Sequence, residues 1–207
     1  MPMAGKHFSM IRNFHLADFF TIANGFCGVA ALFQAMRFLV GGQPVRLDVA
    51  AALVLVALIF DVLDGRIARW RHHASPLGRE LDSLADVISF GVAPAGIAFA
   101  AGLRSPLDQA ILMYFVGCGL SRLARYNITA EALASDSGKV RSFEGTPIPT
   151  SIVIVGVLAI AFRLGDVDGA LWLGAHRIAT GTLHPLALMY VASGTAMISA
   201  TLRVPKP

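Results

Sequence analysis

Four aspartates in one twenty-six-residue stretch, DVLDGRIARWRHHASPLGRELDSLAD at 61–86, constrain this chain more than any other feature. Asp61 and Asp64 are three apart and Asp82 and Asp86 four apart, and either spacing puts a pair on one face of a helix. An apolar run at 49–60 leads into the stretch and another at 87–103 leaves it. Carboxylates at the ends of hydrophobic helices are costly unless they are paired, hydrated or bound to metal, so acids placed there mark a functional site.

The surroundings read as membrane. Only 14% of the 207 residues are charged and 56% are hydrophobic, against roughly 25% charged in an average soluble domain. Mean hydropathy is +0.66. The net charge of +4 suits anionic headgroups; there is no basic stripe or module for nucleic acid. Cys27 and Cys118 both lie in apolar runs, as isolated buried thiols rather than a disulfide framework. About 20 apolar residues cross a bilayer, and the sequence predicts six such helices at 17–39, 48–65, 80–102, 107–127, 149–164 and 184–202. The expected fold is all-α: a polytopic membrane protein, six transmembrane helices in one bundle, a single domain over 1–207 with its first helix retained. Between the last two spans, ALWLGAHRIA at 170–179 is too short to cross and is expected along the interface, with Trp172 at headgroup level. Of the 17 Lys and Arg, only Arg37, Arg46, Arg104, Arg163 and Arg177 fall at the ends opposite the acids. That bias puts both termini, the acid stretch and the 122–148 loop on the cytoplasmic side of the cell (inner) membrane.

Read as a helical hairpin, the second helix ends with Asp61 and Asp64, the chain turns through RHHASPLG, and the third begins near Arg79. Four converging carboxylates need a counter-charge. A hard divalent cation supplies it, and Mg²⁺ or Mn²⁺ suits an all-oxygen donor set better than Zn²⁺; four acids suffice to bridge two ions. His72 and His73, in the turn, read as solvated. Gly65 and Gly78 remove side chains beside the acids, which lets a flat group or a phosphate approach the backbone. Ala68 keeps that face narrow, and Arg69, one turn past Gly65, is placed for phosphate oxygens. The bland alternative is that the small residues are packing devices and that Arg66 pairs with one of the acids.

The whole constellation, D-x2-D-G-x2-A-R-x8-G-x3-D-x3-D from Asp61 to Asp86, resembles the signature of the CDP-alcohol phosphotransferases. The resemblance implies an integral membrane enzyme, usually a homodimer, that moves a phosphoalcohol from a CDP-alcohol to an acceptor hydroxyl and releases CMP. By position, Asp61, Asp64 and Asp82 resemble the metal ligands that hold the diphosphate. Asp86 resembles the general base on the acceptor, close to a second metal. Gly65, Ala68, Arg69 and Gly78 resemble the lining of the cytidine-diphosphate pocket. In the first helix, Thr21, Asn24 and Gly28 match the family's opening motif, although Ala17 and Asp18 stand where Pro-Asn is usual. Thr21 and Asn24 are placed either to bond the cytosine or ribose or to make a polar contact between helices.

The acceptor rests on other residues. LDSLADVISFGVAPA at 81–95, SRLARYN at 121–127 and FEGTPIP at 143–149 resemble the serine-using branch of the family, with Tyr126 in place of Phe and Thr146 in place of Leu. That branch implies CDP-diacylglycerol and L-serine as substrates, among membrane lipids. Serine brings a carboxylate and an ammonium. Arg122 and Arg125 are placed to meet the carboxylate, a lipid phosphate or the headgroup layer, and Asn127, Ser89 and Glu144 are candidates for the ammonium side. The polar 128–142 segment reads as a loop able to close over the site. Choline or another small alcohol as acceptor, or an ether-lipid donor, are alternatives within the class. A cation transporter is the alternative outside it, disfavoured because the chain lacks the repeats usual there.

Overall fold

In the computed structural model, residues 15–71, 76–135, 142–164, 173–178, 181–199, 201 and 203–205 are described. His72, His73, Trp172 and the side chains of Ala68 and Arg69 lie outside them. The described chain is mostly helical: α1 (Leu16–Gly41), α2 (Val45–Arg71), α3 (Pro76–Asp86), a π-helical segment (Val87–Val92), α4 (Ala93–Ala101), α5 (Pro106–Ser135), α6 (Ser151–Leu164) and α7 (Ala187–Ile198). Four three-residue strands complete it: β1 (Ser142–Glu144) pairs antiparallel with β4 (Arg203–Pro205), and β2 (His176–Ile178) with β3 (Gly181–Leu183). Part of the interfacial segment is thus a small hairpin.

Among the described residues, two stretches, Leu16–Gly41 and Leu77–Ala101, are long and apolar enough to cross a membrane. The second runs through α3, the π segment and α4 without a break. α6 and α7, at 14 and 12 residues, rise about 21 and 18 Å at 1.5 Å per residue, short of a hydrocarbon core of about 30 Å. α5 runs on to Ser135, so 128–135 is helix where a loop was expected. The segment ITAEALAS contains no proline or glycine to stop it.

The chain doubles back tightly at the end of the bundle opposite the acids. α1 stops at Gly42, whose φ of +64° lets its N–H reach the Phe38 carbonyl at 2.8 Å, a left-handed cap that favours glycine. α5 starts with a reciprocal cap. Ser105 Oγ accepts the Asp108 N–H and Asp108 Oδ2 accepts the Ser105 N–H, both at 3.1 Å, with Pro106 at the first helical position. Fully buried Asp108 also accepts from the His184 N–H at 3.1 Å and meets His184 Nδ1 at 2.6 Å, which ties the start of α5 to the approach to α7. The ends of α2 and α6 nearby are joined by Arg163 and Asp48 at 3.0 Å.

The core runs from this end toward the acids. Ala31, Ala35 and Phe38 of α1 pack with Ala50, Val54 and Ala57 of α2. Phe38 meets Phe162 edge-on at 5.4 Å, and Phe115 meets Tyr190 at 5.1 Å. The buried Tyr190 hydroxyl donates to the Pro94 carbonyl at 3.1 Å. Close approach depends on small residues. A Cβ at Gly28 would sit 2.6 Å from Ser89 Oγ and 2.8 Å from Ser89 Cα, where α1 crosses the π segment. Gly28→Ala should therefore lower stability by about 1–3 kcal/mol through overpacking, read as a lower thermal midpoint in detergent.

Candidate active site

The site grows from one face of α1. Asp18, Thr21, Asn24 and Gly28 recur at helical spacing and are all buried. Asp18 Oδ2 accepts the His15 N–H at 2.7 Å at the helix start. One turn on, Thr21 Oγ1 donates to Asp64 Oδ2 at 2.8 Å, and Asn24 Nδ2 donates to Asp86 Oδ1 at 3.2 Å. Consecutive turns of α1 thus hold one acid of α2 and one of α3. Of the two roles open to Thr21 and Asn24, the contact between helices is the one these bonds form.

Asp61, Asp64 and Asp82 each offer a carboxylate oxygen, and these three oxygens lie within 4.8 Å of one another. Asp82 Oδ1 is buried and has no hydrogen-bond partner among the described residues. Three negative groups so close, with one orphaned oxygen, repel one another unless a cation sits among them. An all-carboxylate oxygen set fits a hard divalent ion. Asp86 stands one turn further along α3, beside this trio rather than within it.

Two placements differ from the sequence expectation. The first acid pair is not at the end of its helix: α2 continues past Asp64 to Arg71, because IARWR is a run of adequate helix formers and the first proline comes only at Pro76. α3 begins at that proline rather than near Arg79, so Asp82 lies in its second turn. After Asp86 the helix widens into the π segment Val87–Val92, a form found mostly as single turns at functional sites. Gly65 faces open space, with nothing within 4 Å of where a Cβ would be, as close approach of a ligand requires. Gly78 is half-buried in the first turns of α3.

Beside the acids is a cleft of about 240 Å³. Asp82, Asp86, Arg79 and Ser83 form its α3 wall, Arg122, Leu123, Tyr126 and Asn127 its α5 wall, and Pro147 and Pro149 its rim. The Nε atoms of Arg79 and Arg122 are buried without a hydrogen-bond partner among the described residues. Asn127 Nδ2 donates to Ser83 Oγ at 3.0 Å and lies 3.2 Å from Glu80 Oε2, bracing α5 on α3.

Of the five residues expected at the acceptor, Arg122 and Asn127 line this cleft, Arg125 and Ser89 do not, and the side chain of Glu144 lies outside the described residues. Arg125 reaches away to the Ile198 carbonyl at 3.3 Å. Ser89 is fully buried beneath Gly28 and donates to the Asn24 carbonyl at 2.9 Å. Sequence reasoning missed Arg79, Ser83 and the buried Asp18. Arg79 and Ser83 sit seven and three residues before Asp86 on its own face, and that spacing was the available signal. Pro147 and Pro149 were visible only as letters of a motif.

A family model described as CDP-alcohol phosphatidyltransferase matches residues 14–197. The CDP-diacylglycerol–serine O-phosphatidyltransferase of Saccharomyces cerevisiae is 45% identical over 97% of this chain and 74% of its own length. Proteins of the same name from Helicobacter pylori and Mycobacterium tuberculosis are 39% and 34% identical over 67% of this chain, which spans 54% and 48% of their lengths. The solved structure of Mycobacterium tuberculosis phosphatidylinositol phosphate synthase with CDP-DAG bound aligns over 95% of both chains at 20% identity, with a TM-score of 0.41. That fit is too loose for its geometry to be carried over.

The crowding of the trio predicts how cations act on stability. Mn²⁺ should raise the thermal midpoint of the wild-type chain. In excess chelator Asp82→Asn should melt above wild type, by about 1 kcal/mol of relieved repulsion, and it should lose most of the Mn²⁺-dependent rise.

Proposed function

We propose that this chain, which belongs to the CDP-alcohol phosphatidyltransferase family, transfers the phosphatidyl group of CDP-diacylglycerol to the hydroxyl of L-serine, giving phosphatidylserine and CMP. The observation that carries the reading is the cleft in which buried Asp86 and the guanidinium groups of Arg79 and Arg122, each with a buried Nε, face one small space. At about 240 Å³ it is below the roughly 300–1,000 Å³ of pockets for drug-sized ligands, which suits a small acceptor. The names of the relatives support serine among such acceptors.

In this reading the diphosphate of the donor lies over Asp61, Asp64 and Asp82, beside the open face at Gly65. Those three residues, with Asp86 alongside, would hold two divalent ions, Mg²⁺ or Mn²⁺, which when bound neutralise the diphosphate charge. Ala68, Arg69 and Gly78 complete the cytidine-diphosphate pocket by their place in the signature. Asp86 takes the proton from the serine hydroxyl while the hydroxyl oxygen forms a bond to the phosphatidyl phosphorus. The bond from that phosphorus to the CMP oxygen breaks, and CMP leaves with the electron pair. Asn24 engages one oxygen of Asp86. A carboxylate has about four lone-pair sites, so this bond orients the base and leaves it capacity for the proton.

Arg122 supplies the cation for the serine carboxylate, and Arg79, on the facing wall, stands close enough in the same cleft to share it. Asn127, already bonded to Ser83 and Glu80, acts by fixing the distance between the walls. Thr21 holds Asp64 for the donor. A six-span bundle in the cell membrane with the acids and both termini on the cytoplasmic side is part of the same reading. It is supported by the charge bias along the sequence and by the acids, the cleft and the ends of α5 and α7 all lying at one end of the bundle. A homodimer is supported by the family resemblance.

The acceptor screen is the direct test. Purified protein with CDP-diacylglycerol and Mn²⁺ should release CMP with L-serine and far less with glycerol 3-phosphate, inositol or choline; CMP release with another alcohol but not serine would move the acceptor and leave the family in place. Asp86→Asn should lower turnover by at least about 100-fold while CDP-diacylglycerol binding survives. Arg122→Ala should raise the serine KM by about tenfold or more, the cost of an unpaired buried carboxylate, with the KM for CDP-diacylglycerol little changed.

A further inference from the structure

We propose that the segment following α7 is a positioning strap for the rim of the acceptor cleft, so that β4, remote in sequence from every motif, sets affinity for the acceptor. The proposal rests on the cleft being the acceptor site. The strap starts at the end of α7, where the last carbonyls of a helix have no partners within it. Here they are met by the segment that carries the rim. The Thr146 N–H donates to the Ala196 carbonyl at 3.2 Å, and Arg125 Nη2 of α5 donates to the Ile198 carbonyl at 3.3 Å. Gly145, at φ +74°, lies so close to the Met197 carbonyl that a Cβ there would collide with it.

Beyond Ser199 the chain turns back, and β4 pairs with β1 in the register Ser142–Pro205, Phe143–Val204 and Glu144–Arg203. Bond-exchanging and non-exchanging pairs alternate along an antiparallel ladder. Pro205 has no N–H to give, so the exchanging pair is Phe143 with Val204. The 143–149 segment is therefore held at one end by β4 and in its middle by the end of α7. Two and four residues past Gly145 come Pro147 and Pro149, on the cleft rim, with Ile148 between them fully buried. Their placement against Arg122 and Asp86 is thus fixed by backbone bonds to the C-terminal part of the chain.

Val204→Pro removes the one N–H that β4 gives at this pair; Val204→Ala keeps it. Val204→Pro should raise the serine KM about fivefold by misplacing the rim, with the KM for CDP-diacylglycerol and the turnover at saturating serine near wild type. Val204→Ala should match wild type in all three. Gly145→Ala, which disturbs the same junction from the loop side, should repeat the Val204→Pro signature. A strap that only stabilises the fold would lower the thermal midpoint without splitting the two KM values, and that result, or an unchanged serine KM, overturns the proposal. Hydrogen exchange of the 143–149 peptide, read on the same proteins, should rise in Val204→Pro. No rise refutes the strap whichever alcohol is the acceptor, whereas a wild type inert toward serine refutes the acceptor reading and leaves this measurement to decide.

Discussion

Everything at the functional end of this molecule depends on holding carboxylates together at the mouth of an apolar bundle. Three oxygens from Asp61, Asp64 and Asp82 within 4.8 Å form an arrangement that electrostatics alone would push apart. The fold opposes that with α1. Its hydroxyl at Thr21 and amide at Asn24 each bind one acid, on different helices, and its Gly28 lets the π segment come within contact distance. Bonds from neutral donors to charged acceptors are stronger than ordinary ones. They orient the acids without neutralising them, which leaves the negative charge available to a cation.

The far end of the bundle works differently. There, Asp108 is hydrogen-bonded by His184 and Asp48 is paired with Arg163, so each acid is satisfied by a partner on another element. Acids that the chain pairs internally and acids that it crowds together occupy opposite ends of the bundle. This contrast, more than the number of acids, marks 61–86 as the working end.

Much of this was legible in the sequence because the relevant interactions are local. Acid spacings of three and four residues fix a face whatever the tertiary fold, so the pairs on α2 and α3 could be read directly. The register of α1 against them could not. Thr21 and Asn24 are 43 and 62 residues from the acids they hold, and one sequence gives no measure of how deep two helices sit relative to each other. Ser89 and Arg125 misled for a related reason. Both lie in motif segments, and proximity in sequence to Asp86 or Arg122 was read as proximity to the ligand, whereas three residues further on Ser89 packs under Gly28 and Arg125 reaches toward α7. The short pairing of β1 with β4 was invisible because three-residue strands leave no periodic trace.

The same geometry explains why the SFGVAPA and TPIP segments belong together although fifty residues separate them. A Cβ at Gly119 would lie 2.7 Å from Ile148 Cδ1, and one at Gly91 would touch the same atom at 3.8 Å. Glycine at 119 therefore leaves the room that the end of Ile148 occupies, Gly91 lines the same socket at ordinary contact distance, and no exposed surface is left on the isoleucine. A larger residue at Gly119 would press on Ile148 and, through it, on its neighbours Pro147 and Pro149 along the cleft rim. Proline on either side makes that short segment stiff, so a shift at its centre is transmitted rather than absorbed. In the serine reading, the π segment shapes the acceptor cleft without touching the acceptor: with Gly119 of α5 it lines the socket that seats one isoleucine, and through that residue it supports the rim beside Asp86.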